Sequence, residues 1–109
     1  MELNLTLNTA NSQVTYKSDK LNGYLNSIII DSDDKIEIIV ESILGYLILH
    51  RSEVYGIKYF CPRAATTLPE DKLIDVNGKE KFCLNEEIFI TIIGPKNKDV
   101  NIILKIDDK

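Results

Sequence analysis

The residues best equipped for chemistry sit in one stretch, Tyr59-Phe60-Cys61-Pro62-Arg63-Ala64-Ala65-Thr66-Thr67, where a thiol stands two positions from a guanidinium. A neighbouring cation lowers a thiol's pKa and makes it a nucleophile when a base lies near. Arg63 is the candidate cation, and His50, the only histidine, the candidate base. No local catalytic-cysteine signature surrounds Cys61, so the stretch reads as a strand end. Pro62 has no N–H to give a ladder and holds Cys61 extended. His50 closes Leu47-Ile48-Leu49 and reads as a strand-end surface residue. No catalytic residue is assigned, and the chain is not expected to be an enzyme.

Other constellations fall short in the same way. Cys61, Cys83 and His50 do not make the four ligands of a closed zinc site, and there is no C-x-x-C pair. Asp31, Asp33 and Asp34 resemble the opening of a calcium loop, but Lys35-Ile36 stand where the loop must continue to its glycine and distal glutamate. They read as a solvated turn. Gly23, Gly45, Gly56, Gly78 and Gly94 are scattered singly, so no phosphate cradle is assembled. A carboxylate pair for glycoside hydrolysis is defined by its spatial separation, and the 17 acidic residues fall mostly in turns and on polar faces. The tyrosines Tyr16, Tyr24, Tyr46, Tyr55 and Tyr59 read as core-margin residues, with an aromatic ligand face as the alternative. No cofactor and no metal is expected.

The elements that must position these residues are strands. Leu3, Leu5 and Leu7 alternate with polar neighbours, the period that turns successive side chains to opposite faces of a sheet. After a turn signal at Asn8 to Ser12, Val14 and Tyr16 suggest a second short strand. Two β-rich segments flank Asp31-Ser32-Asp33-Asp34 and predict a hairpin, with Ile36, Ile38 and Val40 on one face of its second arm. A further arm, Tyr46 to Arg51, follows Gly45, and Tyr55 to Phe60 forms another strand that Pro62 stops. The run Ile36 to Leu49 also admits a helical reading, but its isoleucines and Gly45 favour strands. From Ala64 to Lys81 turn residues accumulate, and the stretch is expected to wrap a sheet edge with a short turn of helix. Ile88, Ile90 and Ile92, then Gly94 to Lys98, then Val100, Ile102, Leu104 and Ile106 predict a closing hairpin. The whole reads as one all-β domain over residues 1–109, a β-sandwich or partly closed barrel of about eight or nine short, mostly antiparallel strands.

Size and charge bound the role. A chain of 109 residues with 44% hydrophobic and 28% charged residues is long enough for one core and too apolar for a disordered tail. A net charge of -4 disfavours binding nucleic acid through its phosphates, which needs clustered Lys and Arg. No apolar run approaches the ~20 residues that span a bilayer, and the start MELNLTLN has no basic n-region. The expectation is synthesis in a cytoplasm and no membrane partner, with Cys61 and Cys83 as two separate half-buried thiols.

Taken in order, Leu21-Asn22-Gly23-Tyr24-Leu25, Ile28 to Asp31, the alternating Ile36 to Val40, Gly45 with Ile48-Leu49, and Phe60-Cys61-Pro62-Arg63 form a pattern. It resembles small β-sandwich structural proteins of tailed bacteriophages, from the head and neck gene module, over about Lys20 to Ile106. The resemblance implies a virion component that acts by oligomeric assembly, as a head-to-tail ring subunit or as a capsid accessory, decoration or head-fibre-associated subunit. Its implied partners are portal, capsid or neck proteins and further copies of itself. The interface candidates are Tyr24, Tyr59, Arg63, Thr66, Thr67 and Glu70, with Arg63 free to pair with an acidic residue and unpaired strand edges open to the next copy. The polar insert Thr66 to Lys81 and the tail Asp107-Asp108-Lys109 depart from the pattern. A small module that binds a host protein or glycan is the reading from another class.

Overall fold

A computed structural model describes residues 1–68 and 72–109, with side chains described outside residues 65–79. Its strands are β1 (Glu2–Asn8), β2 (Gln13–Lys17), β3 (Leu21–Ser42), β4 (Leu47–Phe60), β5 (Arg63–Leu68), β6 (Lys72–Lys81), β7 (Cys83–Glu86), β8 (Ile88–Ile93) and β9 (Asp99–Asp107). Seven make one antiparallel sheet, and β5 pairs only with β6. There is no helix among the described residues. The all-β reading holds. So does the strand reading of Ile36 to Leu49.

The expected hairpins do not form. β9 lies along the first part of β3, from Tyr24↔Asp107 to Asp31↔Asn101, and β8 lies along its second part, from Glu37↔Ile93 to Ser42↔Ile88. Both registers run the same way, so β8 and β9 are successive lengths of one line and Gly94 to Lys98 does not reverse it. The Asp31 to Asp34 stretch likewise lies inside the single 22-residue strand β3. β1 on β9 and β2 on β8 repeat the arrangement, with Asn8 to Ser12 as the interruption. The two arms expected at Tyr46 to Arg51 and Tyr55 to Phe60 are also one strand, β4.

These three interruptions lie side by side and crease the sheet. Thr9 N–H donates to the Lys98 carbonyl at 2.9 Å, Asn97 N–H to the Thr9 carbonyl at 2.7 Å, and Gly94 N–H to the Ser12 carbonyl at 3.0 Å. Ser12 and Asn97 take positive φ (68° and 59°), so each chain bends locally and then resumes its ladder. At Gly94 a Cβ would lie 2.8 Å from Ile36 Cγ2, so the absent side chain lets the lines approach at the crease. The Ser32 hydroxyl donates to the Asp34 carbonyl at 2.7 Å, turning the polar run into a bend within β3.

The crease folds the sheet over. A straight strand of 22 residues would span about 70 Å, yet the whole molecule measures 47 Å at its longest. Leu21 pairs with Glu86 and Ser42 with Ile88, so the two ends of β3 meet only two residues apart on the chain facing them. The result is a curled half-barrel. Leu25, Ile28 and Ile30 from one half join Ile36, Ile38, Val40, Ile90, Ile102 and Leu104 in a core that is at most 2% exposed. The inward parity along β3 changes from Leu21 and Leu25 to Ile28 and Ile30 because Asn26 is an extra residue in the ladder, between Leu25↔Ile106 and Ser27↔Lys105.

The stretch expected to wrap an edge instead pairs as an antiparallel arm, from Arg63↔Lys81 to Leu68↔Lys72. It leaves the sheet between β4 and β7, which lie in line on the same side of β3.

Candidate functional site

The candidate surface is the outer face of the half-sheet that carries the arm. Alternation decides it: with Ile28 and Ile30 in the core, Ile29 must point away, although its neighbours bury it to 9% exposure. Ile29 lies between Tyr59 on β4 and Ile103 on β9, which gives a cross-strand row Tyr59–Ile29–Ile103. Toward the crease the next outward row is Ile57–Asp31–Asn101, and on the other side lies Ser27 with Lys105. Tyr59 is 68% exposed, Ile57 66% and Tyr55 55%. Tyr24 reaches the same face beyond the Asn26 bulge, between Cys83 and Asp107.

Of the six interface candidates, the structure brings Tyr24 and Tyr59 to this face and Arg63 to its border. Thr66 and Thr67 lie on β5 with side chains outside the described residues, and Glu70 lies outside them altogether. Arg63 is not free: its Nη1 donates to the carbonyls of Asn26 at 3.0 Å and Pro62 at 2.8 Å. Its cross-strand partner Lys81 donates to Asp107 Oδ2, which also accepts from Asn26 Nδ2 at 3.0 Å. Both roots of the arm are thus tied to the bulge. Lys81, and then Asn26, hold the Asp107 carboxyl below its ordinary range.

The free edge of β4 is less inviting than its face. Glu53 and Gly56 take positive φ (55° and 74°), which interrupts a flat ladder. Lys58 pairs with Ile30 on the core-side parity, and Pro62 ends the strand. Bulges, inward-facing lysines and prolines are the features that blunt edge pairing. The Lys58 ammonium lies 5.9 Å from the Tyr55 ring, and the Arg51 guanidinium 5.6 Å from the Phe60 ring. Arg51 belongs to the half paired with Ile38 and Phe60 to the half paired with Ile28, so this contact joins the halves on their open side. A smaller apolar group, Ile43, Leu44 and Leu47, is exposed at the turn between β3 and β4.

The constellation weighed for catalysis is dispersed. His50 lies opposite Ile39 in one half and meets Glu37 at 2.5 Å, whereas Cys61 follows Phe60 in the other half. Cys61 and Cys83 are both free thiols, exposed rather than half-buried, and they flank the arm. No group of three or more His, Cys, Asp or Glu stands together among the described residues. Asp34 pairs with Lys98 at 3.6 Å instead.

One buried polar cluster escaped the sequence reading. Where the ends of β3 meet, Glu86 is buried and accepts from the hydroxyls of Ser42 and Tyr46 and from Asn85 N–H. Tyr46 stacks on Phe82 with ring centroids 5.8 Å apart. Burial pushes the Glu86 carboxyl up, but its three hydrogen bonds outweigh this and hold it below the ordinary 4.5. Burial and the bond to Glu86 raise the Tyr46 phenol. A folded-state pKa below the unfolded one means that the stabilisation is present above pH 4.5 and lost as pH falls through the folded value. Glu86→Gln is expected to flatten the acid limb of a pH–stability curve below 4.5, read by urea titration at successive pH values. An unchanged limb would remove Glu86 from this role.

Ile29, Ile57 and Ile103 also went unnoticed, although the run Ile28-Ile29-Ile30 carried a signal: three consecutive isoleucines in a strand put the middle one outside. The chain matches no family model, no curated protein and no solved structure.

Proposed function

We propose that this chain is a structural subunit of a tailed bacteriophage particle, a head-to-tail ring component that works by oligomeric assembly and not by catalysis. The observation that carries the assembly role is the concentration of exposed apolar side chains on one face. Tyr59, Ile57 and Tyr24 stand exposed there, beside the half-buried Ile103 and over the buried Ile29. Apolar clusters of this kind on otherwise charged surfaces mark interaction sites. The particle setting rests on the motif order from Leu21 to Arg63. The test is mass spectrometry of purified particles of a phage that encodes the chain. Stoichiometric presence is expected, and Tyr59→Glu should reduce incorporation by about ten-fold or more while leaving the melting temperature unchanged, because an exposed side chain contributes little to folding. Finding the chain only in the lysate would overturn the particle role, and capture of one host protein there would favour the binding-module reading.

A further inference from the structure

Building on the assembly reading, we infer that this outer face docks against the same face of a second copy of the chain, about a two-fold axis that runs along the row Tyr59–Ile29–Ile103. Complementary charges on either side of the row favour this docking. Sheets pack face to face with their strands within about 30° of alignment, and a two-fold interface sets one patch against itself. Rotation about the row lays the exposed Tyr59 and half-buried Ile103 on their counterparts, with the buried Ile29 beneath them, and brings the crease side of one copy over the opposite side of the other. Asp31 lies on the crease side, in the row with Ile57 and Asn101. Lys105 lies on the opposite side, across from Ser27.

Each copy therefore places its Asp31 over its partner's Lys105, one strand spacing apart and within the reach of a lysine. Both residues are exposed. Asp31 has no ion pair among the described residues, and Lys105 has only a 4.0 Å contact with Glu2. Charges of opposite sign that bracket an apolar row fit a self-associating face better than a uniformly acidic or basic partner. The guarded edge of β4 directs association to the face and away from strand addition.

The experiment is sedimentation velocity of the full chain and of Asp31→Lys, Lys105→Asp and the double variant, with thermal melts confirming that each is folded. The wild type should dimerise. Each single change sets like charges together and should weaken the dimer by about ten-fold, while the double change restores it. A wild type that stays monomeric, or a double variant no better than either single one, overturns the inference. The two readings fail separately. A monomer that still enters particles through Tyr59 keeps the particle role and removes the dimer, whereas a dimer absent from particles does the reverse.

Discussion

Thr9→Val is expected to lower stability by about 2–3 kcal/mol, among the largest effects of any near-isosteric change in the chain. Thr9 has no solvent access and lies at the crease. Its hydroxyl donates to the Pro95 carbonyl at 2.6 Å and accepts from Lys98 N–H at 3.1 Å. Valine fills the same space but leaves both backbone groups without a partner, and buried unpaired groups carry the full cost of desolvation. The melting temperature should fall on the order of 10 °C. Thr9→Ser keeps the hydroxyl and loses one methyl group, so it should cost only about 1 kcal/mol. Equal losses for the two variants in urea titrations would mean that Thr9 acts by packing and not by holding the crease.

Gly23→Ala should be more damaging, with little soluble protein recovered or a loss of about 3 kcal/mol or more. Gly23 has φ of 153°, and a Cβ there would lie 2.5 Å from Ile106 Cγ2 and closer still to the Asp107 carbonyl oxygen. The oxygen belongs to the backbone of β9, so relief requires β3 and β9 to separate beside the bulge that anchors the arm. Gly45→Ala is the control. Gly45 has φ of 100° and nothing within 4 Å of the added carbon, so only backbone strain of about 1 kcal/mol applies. Soluble yield and urea midpoints for the two variants decide the matter. If both behave alike, backbone conformation and not the close approach governs position 23.

Much of this architecture was legible because a sheet with one buried face leaves period two in the sequence. Ile36, Ile38 and Val40, then Ile88, Ile90 and Ile92, then Val100, Ile102, Leu104 and Ile106 carry that period, and all of them face the core. Connectivity was not legible. Asp31 to Asp34 and Gly94 to Lys98 have the composition of reversing turns, but a residue suited to a turn is equally suited to a bulge, and only the partner line decides which forms. Here two of the interruptions satisfy one another across the crease, as Thr9, Ser12, Gly94, Asn97 and Lys98 demonstrate, and no local rule contains that pairing. Of the candidate surface, Tyr24 and Tyr59 were recognisable by type. Asn26 was not, because a bulge is defined by the mismatch of two strands 80 residues apart. Arg63 was recognisable by type, but its engagement was not: a cation after a strand-ending proline looks available, and its Nη1 donates to the Asn26 carbonyl.

The deciding quantity is the mass of the purified chain in solution, measured by light scattering as concentration rises and again with portal and capsid components added. Assembly through the outer face predicts that the 12.4 kDa chain grows into a defined multiple or joins one of those components, and that Tyr59→Glu holds it at the monomer mass. A chain that remains at 12.4 kDa under every condition, or assembles equally well with glutamate at position 59, would contradict it.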